Sequence, residues 1–317
     1  VVGAAIQAIP TAPGAEITLE LNPGTIDRDG LLRLQDVGVT RLSIGVQTFA
    51  RHHARRLARG HTVRATREML ALAPSLGFES WSADLIFSLP DQTLAELAED
   101  LAVLLAHNPP HVSIYSLSYE PGTPLHTARA AGRLRPVDDE LWAEQYDLVV
   151  TTLESAGLAR YEVSNFARPG HRGRHNERVW RGAAYLGLGP GAHGFRPDGH
   201  RTLGAPALDD WLRQPEGHAE LPRPEQAAID LVLSTLRHVD GLPLRLLARR
   251  TGARVDCAPL APLFDRGLLE RAGPEPHLRL RPAAFPLADA VVARVCSALR
   301  HDDLVALAES PATAGPP

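Results

Sequence analysis

The chain has 317 residues, 44% hydrophobic and 22% charged, enough to bury a sizeable core and ordinary for a globular protein. All 33 basic residues are arginine, which excludes Schiff-base chemistry, a pyridoxal-phosphate anchor and a phosphate-loop lysine supplied by this chain. A net charge of −4 gives no reason to expect nucleic acid. No apolar run approaches the roughly 18 residues of a membrane span, and the N-terminus lacks the order of a signal peptide, so the expected location is cytoplasmic. The two cysteines, Cys257 and Cys296, match no metal or cluster spacing and read as small core residues.

A short apolar segment ends at Pro13-Gly14, and the first clear strand is E-I-T-L-E-L (16–21), followed by an Asn22-Pro23-Gly24 loop. Thr25 or Asp27 is placed to cap a helix carrying Leu31, Leu32, Leu34 and Val37, which Gly38 stops. Next comes R-L-S-I-G-V-Q (41–47), where Leu42, Ile44 and Val46 alternate with Ser43 and Gly45. Gln47 stands where that strand should end, and a helix rich in arginine and histidine leads towards Arg59. In a barrel of parallel strands such C-terminal ends face the ligand mouth, so polar residues there read as site residues. A lone Gln at a strand end and an Arg on a helix also have plain structural readings.

A helix over about 63–76 is perturbed at Pro74 and closed by Gly77; strand W-S-A-D-L-I-F (81–87) follows. Asp84 lies in an otherwise apolar strand, where an unpaired carboxylate costs on the order of several kcal/mol; it must be paired or face a polar cavity. Thr93 opens a strongly amphipathic helix closed by Asn108-Pro109-Pro110. A strand over 112–118, an irregular arginine-bearing stretch, a long helix from about 136 to 156 and a short strand over 161–165 come next. Alternating strands and helices predict an α/β fold with a parallel sheet of about five strands, too few for a closed eight-fold barrel.

From Gly170 to Gly199 glycine, histidine, arginine and aromatics dominate, the glycines permitting close backbone approach to a ligand. After a connector (205–214), helices are expected near 224–237, 242–250 and 258–266. A hairpin pairs 268–270 with 278–280, and a last helix covers about 287–299, a winged-helix-like order. The tail from Ser310 is expected to be disordered.

Six segments in order carry a resemblance: E-I-T-L-E-L-N-P, R-L-S-I-G-V-Q-T-F, D-L-I-F-S-L-P-D-Q-T, Y-E-V-S-N-F-A-R-P-G, H-N-E-R-V-W and Y-L-G-L-G-P-G-A-H-G. Together they resemble the radical SAM family of oxygen-independent coproporphyrinogen oxidase and its relatives, above all its HemW-type heme-chaperone branch. The resemblance implies an α/β, incomplete (β/α)6 partial barrel over 1–203, a C-terminal helical, winged-helix-like domain over 204–309 and a tail over 310–317. It implies S-adenosylmethionine contacts at Glu20, Gln47, Arg59, Asp84, Ser118 and near His193, and heme contacts at His175, Asn176 and Trp180. His175 reads either as heme-iron ligand or as a hydrogen-bonded structural residue. Val179 replaces the tyrosine of the family's H-N-x-x-Y-W, and Ser88 a glycine common before L-P.

Relatives carry a C-x3-C-x2-C loop for a [4Fe–4S] cluster, and a G-G-G-T-P segment; neither is in this sequence. Three thiolates are needed to hold such a cluster, so the expectation is a chain lacking about 60–90 N-terminal residues, with the cluster present only if they supply the cysteines; the alternative is a relative that lost the cluster. Whether the chain is an enzyme is left open by this departure. The implied partners are heme or porphyrin, a heme-acceptor protein and an electron donor that the sequence does not identify. The competing readings are a porphyrinogen decarboxylase on the same fold and a winged-helix binding protein. The absence of lysine and the net negative charge weigh against the latter.

Overall fold

The computed structural model describes residues 2–9, 11–58, 60–273 and 275–301. Contacts divide the chain into two units, Val1–His175 and Asn176–Pro317. The division falls ahead of the 203/204 boundary expected from sequence, because the residues after 175 build sheets of their own.

The first unit runs α1 (Val2–Ala8), β1 (Thr18–Leu21), α2 (Arg28–Asp36), β2 (Arg41–Gln47), α3 (Arg51–Arg56), α4 (Val63–Leu72), β3 (Ser80–Phe87), α5 (Leu94–Leu105), β4 (His111–Ser116), α6 (Pro124–Ala130), α7 (Asp139–Ser155), β5 (Ala159–Arg160) and β6 (Asn165–Ala167). α8 (Arg174–Trp180) carries the division. One sheet has the order β1-β2-β3-β4-β6-β5. Its first four strands are parallel, whereas β6 runs antiparallel to both β4 and β5. The expected all-parallel sheet is thus corrected to a mixed one. The expected strand over 161–165 is corrected as well: it is mostly the turn of a hairpin, in which the Ser164 N–H donates to the Glu162 side chain at 3.1 Å. Part of the stretch taken as irregular is α6, capped by Thr123 with Pro124 in its first turn.

Local chemistry accounts for the remaining elements. Asp27 accepts from Gly30 N at 2.8 Å to start α2, Asp138 caps α7, and Thr93 with Glu96 forms a reciprocal capping box on α5. Leu97, Leu101 and Leu104 recur at helical spacing and are fully buried. They share the core with Leu42, Ile44, Ala83, Leu85 and Val112 of the sheet. Each such leucine contributes roughly 1.5–3 kcal/mol by leaving water.

In the second unit come β7 (His193–Phe195), β8 (Arg201–Leu203), α9 (Leu208–Arg213), β9 (His218–Glu220), α10 (Pro224–Thr235), β10 (Leu242–Pro243), α11 (Leu244–Thr251), β11 (Ala253–Val255), α12 (Ala261–Asp265), β12 (Leu269–Ala272), β13 (His277–Leu280), α13 (Ala288–Ser297) and β14 (Leu299–His301). Strands β7, β8 and β9 form one antiparallel sheet. From α10 onward, helices and the three-stranded sheet β10-β13-β12 follow the winged-helix order, with Leu269 opposite Leu280 in the expected hairpin. Two of the glycines of 187–194 serve chain packing, since a Cβ on Gly187 would run into the His193 carbonyl and one on Gly194 into Thr202, while Gly189 and Gly191 adopt positive φ. The tail from Ser310 lies outside the described residues.

Candidate functional site

The sheet of the first unit has two chemically different faces. Leu42, Ile44 and Val46 of β2, Trp81, Ala83, Leu85 and Phe87 of β3, and Val112 and Ile114 of β4 alternate onto the apolar face. The opposite face is polar across four strands: Glu20, then Ser43 with Gln47 beyond it, then Ser82 and Asp84, then Ser113 and Tyr115. Register puts Glu20 beside Ser43, Ser43 beside Ser82, and Asp84 between Gly45 and Ser113.

Asp84 is the centre of this face. Its carboxylate accepts from Ser43 Oγ at 2.9 Å and Ser82 Oγ at 3.2 Å, and Ser43 and Ser82 lie 2.9 Å apart. Burial pushes its pKa up, the hydroxyls of Ser113, Ser43 and Ser82 oppose that, and the Glu20 charge adds a small further rise. The same surroundings push the Tyr115 phenol up to about 12, chiefly by burial.

Gln47 ends β2 in a left-handed conformation, φ 68°, rare for a residue with a side chain. The ladder to β3 slips between Gly45 and Gln47, a bulge that bends the strand end and re-aims its side chains. The absence of a side chain at Gly45 leaves room for the Gln47 carboxamide: a Cβ there would come within 2.9 Å of Gln47 Nε2 and 3.1 Å of Asn22 Oδ1, so one of those side chains would have to shift. Beyond Gln47 the chain is pinned from α5, where the buried Asp100 accepts from Thr48 Oγ1 at 2.7 Å and from Phe49 N at 2.9 Å. The loop leaving β3 is held similarly. Buried Gln145 accepts from Ser88 N at 3.1 Å and donates to Gln92 O at 3.0 Å, while Ser88 takes the left-handed φ of 60°.

The other end of the polar face is filled. Arg41 donates to Ser80 Oγ and to the His171 carbonyl, both at 3.0 Å, and His111 Nε2 meets the Tyr161 hydroxyl at 2.8 Å. Burial holds His111 neutral, its pKa well below the usual histidine value. Glu20, Gln47 and Asp84 lie towards the opposite end of that face.

The structure thus brings Glu20, Gln47 and Asp84 to one rim. Ser118 is exposed in the loop after β4, and Arg59 lies outside the described residues. His193 is in the second unit, on β7, beside a cleft of about 750 Å³ that also takes in Tyr185, Phe195, Arg201 and Arg250. His175, Asn176 and Trp180 are on α8, where Asn176 and Trp180 share a face and His175 points about 140° away from Trp180. Sequence reasoning missed Asn22, Gly45, Asp100 and the serine row. The serines' only signal in the sequence is a polar residue at 43, 82 and 113 between apolar neighbours, which equally describes a solvated sheet face.

A six-stranded mixed α/β sheet that carries acidic and amide groups on one face is the frame against which relatives can be compared. The family model described as the Radical SAM superfamily matches residues 3–104. The solved structure titled coproporphyrinogen III oxidase (HemN) from Escherichia coli superposes with a TM-score of 0.74 over 94% of this chain and 72% of that one; at 20% identity the likeness is one of fold. Heme chaperone HemW of Bacillus subtilis is 32% identical over 273 residues, covering 83% of this chain and 72% of its own length. Its namesake in Escherichia coli is 42% identical over 193 residues, 60% of this chain and 50% of that protein. The chain belongs to the HemW-type family of radical SAM proteins. It spans 50% and 60% of the lengths of the Escherichia coli and Synechocystis relatives.

The residues of this chain fit the two cofactors associated with that superfamily unequally. A polar rim with two carboxylates and a carboxamide suits an amino-acid sulfonium such as S-adenosylmethionine. A [4Fe–4S] cluster has no such seat here. The sequence holds two cysteines, both in the second unit and 39 residues apart, where three closely spaced thiolates are needed.

Proposed function

We propose that this chain forms the S-adenosylmethionine-binding part of a HemW-type heme chaperone, a cytoplasmic protein that binds heme and passes it to an acceptor protein. The observation that carries this reading is the polar rim of Glu20, Gln47 and Asp84 in a chain of this family. Glu20 and Asp84 accept from the ligand's ammonium and ribose hydroxyls and counter its sulfonium charge. Gln47 bridges them to the ligand through its carboxamide, and Arg59 and Ser118 complete the contacts that the family likeness suggests for the first unit. A cation arriving at the rim favours the ionised form of Asp84, reversing the upward shift that burial imposes. Bound S-adenosylmethionine supplies the superfamily's radical chemistry when a cluster accompanies it. No such step is assigned to this chain, whose cysteines do not hold one.

Heme is assigned to α8. Since His175 and Trp180 project from different faces, His175 serves as the iron ligand, and Asn176 with Trp180 lines an adjoining surface. Among the described residues no helix is long and apolar enough to cross a membrane.

Equilibrium dialysis against labelled S-adenosylmethionine tests the rim. Asp84→Asn and Gln47→Ala should each weaken binding by about tenfold or more, the worth of a charge-assisted or buried hydrogen bond. Unaltered affinity in both variants would sink the assignment. Heme titration should give a Soret shift that His175→Ala diminishes; an identical spectrum removes the ligand role.

A further inference from the structure

Away from the polar rim, the most unusual side-chain grouping is where α3 meets the first turn of α5. His52 Nε2 lies 3.2 Å from Glu96 Oε1, and His53 Nε2 lies 3.7 Å from Glu96 Oε2. One ligand atom from each of the three residues falls within 4.8 Å of the others. Zinc held by imidazole nitrogen and carboxylate oxygen has bonds of about 2.0–2.2 Å, which sets neighbouring ligand atoms about 3.3 Å apart in a tetrahedron. The grouping is therefore within a small side-chain adjustment of coordination distance.

Two further observations separate it from a chance surface cluster. The His53 side chain is only 1% exposed, yet beyond the long 3.7 Å contact of Nε2 to Glu96 neither ring nitrogen has a hydrogen-bond partner among the described residues. Leaving a buried imidazole unpaired costs roughly 1–3 kcal/mol, and such groups in native proteins call for an explanation. Glu96, meanwhile, divides its oxygens. Oε2 takes the Thr93 N–H at 2.9 Å and the Thr93 hydroxyl at 3.0 Å, and so closes the capping box, while Oε1 is the oxygen turned to His52. Coordination through Oε1 would leave the cap intact. The nearest fixed cation, Arg56, is drawn off to the Pro90 carbonyl at 2.8 Å and to Asp91 at 3.0 Å.

We propose that His52, His53 and Glu96 bind one divalent transition-metal ion of the zinc type, clamping α3 to the start of α5. The fourth position, on the side of the exposed His52, is open to water, as in a three-ligand zinc site. The clamp sits on the segment that follows Gln47, so the ion would stiffen the same segment that Asp100, one turn further along α5, already holds. Two imidazoles and one carboxylate favour zinc, cobalt or nickel over magnesium or calcium, which prefer all-oxygen shells.

Cobalt(II) is the probe for the test. The chain, stripped with a chelator, is titrated with cobalt while visible d–d absorption is followed, and zinc is then added as competitor. One cobalt per chain with tetrahedral-type bands, displaced by zinc, is expected. His52→Ala removes an exposed ligand without touching the core. Glu96→Gln keeps the capping box and weakens the carboxylate bond. Each should lower cobalt affinity by at least about tenfold. Absence of a saturable one-to-one site in the parent chain, or parental affinity retained in both variants, overturns the proposal.

Discussion

Glu162 offers the sharpest test of the physical reasoning. It sits in the β5–β6 turn with no exposed surface; Oε1 accepts from Ser164 N, and Oε2 has no hydrogen-bond partner. Burial raises its pKa from 4.5 to about 7, only partly offset by hydrogen bonds from Ser164, Asn165 and Val163. A carboxyl whose folded pKa is raised binds its proton more tightly when folded, so its contribution is fully present below pH 4.5 and is lost as pH rises through 7. A rise of that size corresponds to about 3 kcal/mol at 1.36 kcal/mol per unit. Glu162→Gln is nearly the same shape and does not titrate. Urea unfolding of both proteins from pH 4.5 to 8.5 should show the parent losing about 3 kcal/mol relative to the variant between pH 4.5 and 7. Above about pH 8 the difference should be flat. Taking the difference cancels the other shifted groups, Asp84, Asp100 and His111 among them. A difference independent of pH, or one that moves the other way, would refute the claim that burial dominates at this residue.

Asp100→Ala should destabilise the first unit by roughly 2–5 kcal/mol, because the Thr48 hydroxyl and the Phe49 N–H both lose their buried acceptor. The same variant should weaken S-adenosylmethionine binding through Gln47, and chemical denaturation with dialysis reads both effects. Ser88→Gly should raise stability by about 0.5–1 kcal/mol, since Ser88 holds a φ of 60° that glycine adopts without steric cost; a loss of stability would contradict it. Gly45→Ala should leave the core intact but displace the Gln47 carboxamide, lowering ligand affinity more than unfolding free energy.

The two faces of one sheet explain how far the sequence could be read. Leu42, Ile44, Ala83, Leu85, Val112 and Ile114 mark the apolar face by period alone, because burial on that face requires apolar residues at every second position. The alternation of strands and helices, the starts of α2, α5 and α7 at Asp27, Thr93 and Asp138, and the hairpin of the second unit follow from equally local rules, whereas the antiparallel β6 does not. Ser43, Ser82 and Ser113 carry no comparable signal. A serine every second residue describes a solvated face as well as a ligand-facing one, and the difference is set by how the sheet curves and what its other end packs against. Asp100 shows the same limit on a helix. Its spacing reads as the polar side of an amphipathic α5, whereas its two bonds to Thr48 and Phe49 depend on where β2 ends in space. The turn at Glu162 was hidden by strand-forming neighbours, Tyr161 and Val163, whose propensity gave way to side-chain hydrogen bonds within the turn.

Ser88 and Gln47 bring these threads together, since both adopt left-handed backbone that glycine would accept more cheaply. At Ser88 the side chain is exchangeable, because the main-chain N–H makes the bond to Gln145 and glycine would make it too. At Gln47 the side chain itself is placed by the strain: the bulge, the φ of 68° and the missing Cβ at Gly45 all serve to seat one carboxamide beside Asn22. Strain of this kind costs on the order of 1–3 kcal/mol and persists only where surrounding structure enforces it. Asp100 supplies that enforcement from α5, and the proposed ion on His53 and Glu96 would supply it from the adjoining turn. Under the proposed role as a ligand rim, the strained φ of 68° at Gln47 persists because Asp100 holds the residues that follow it, where a strand end with no such restraint would relax to the β conformation.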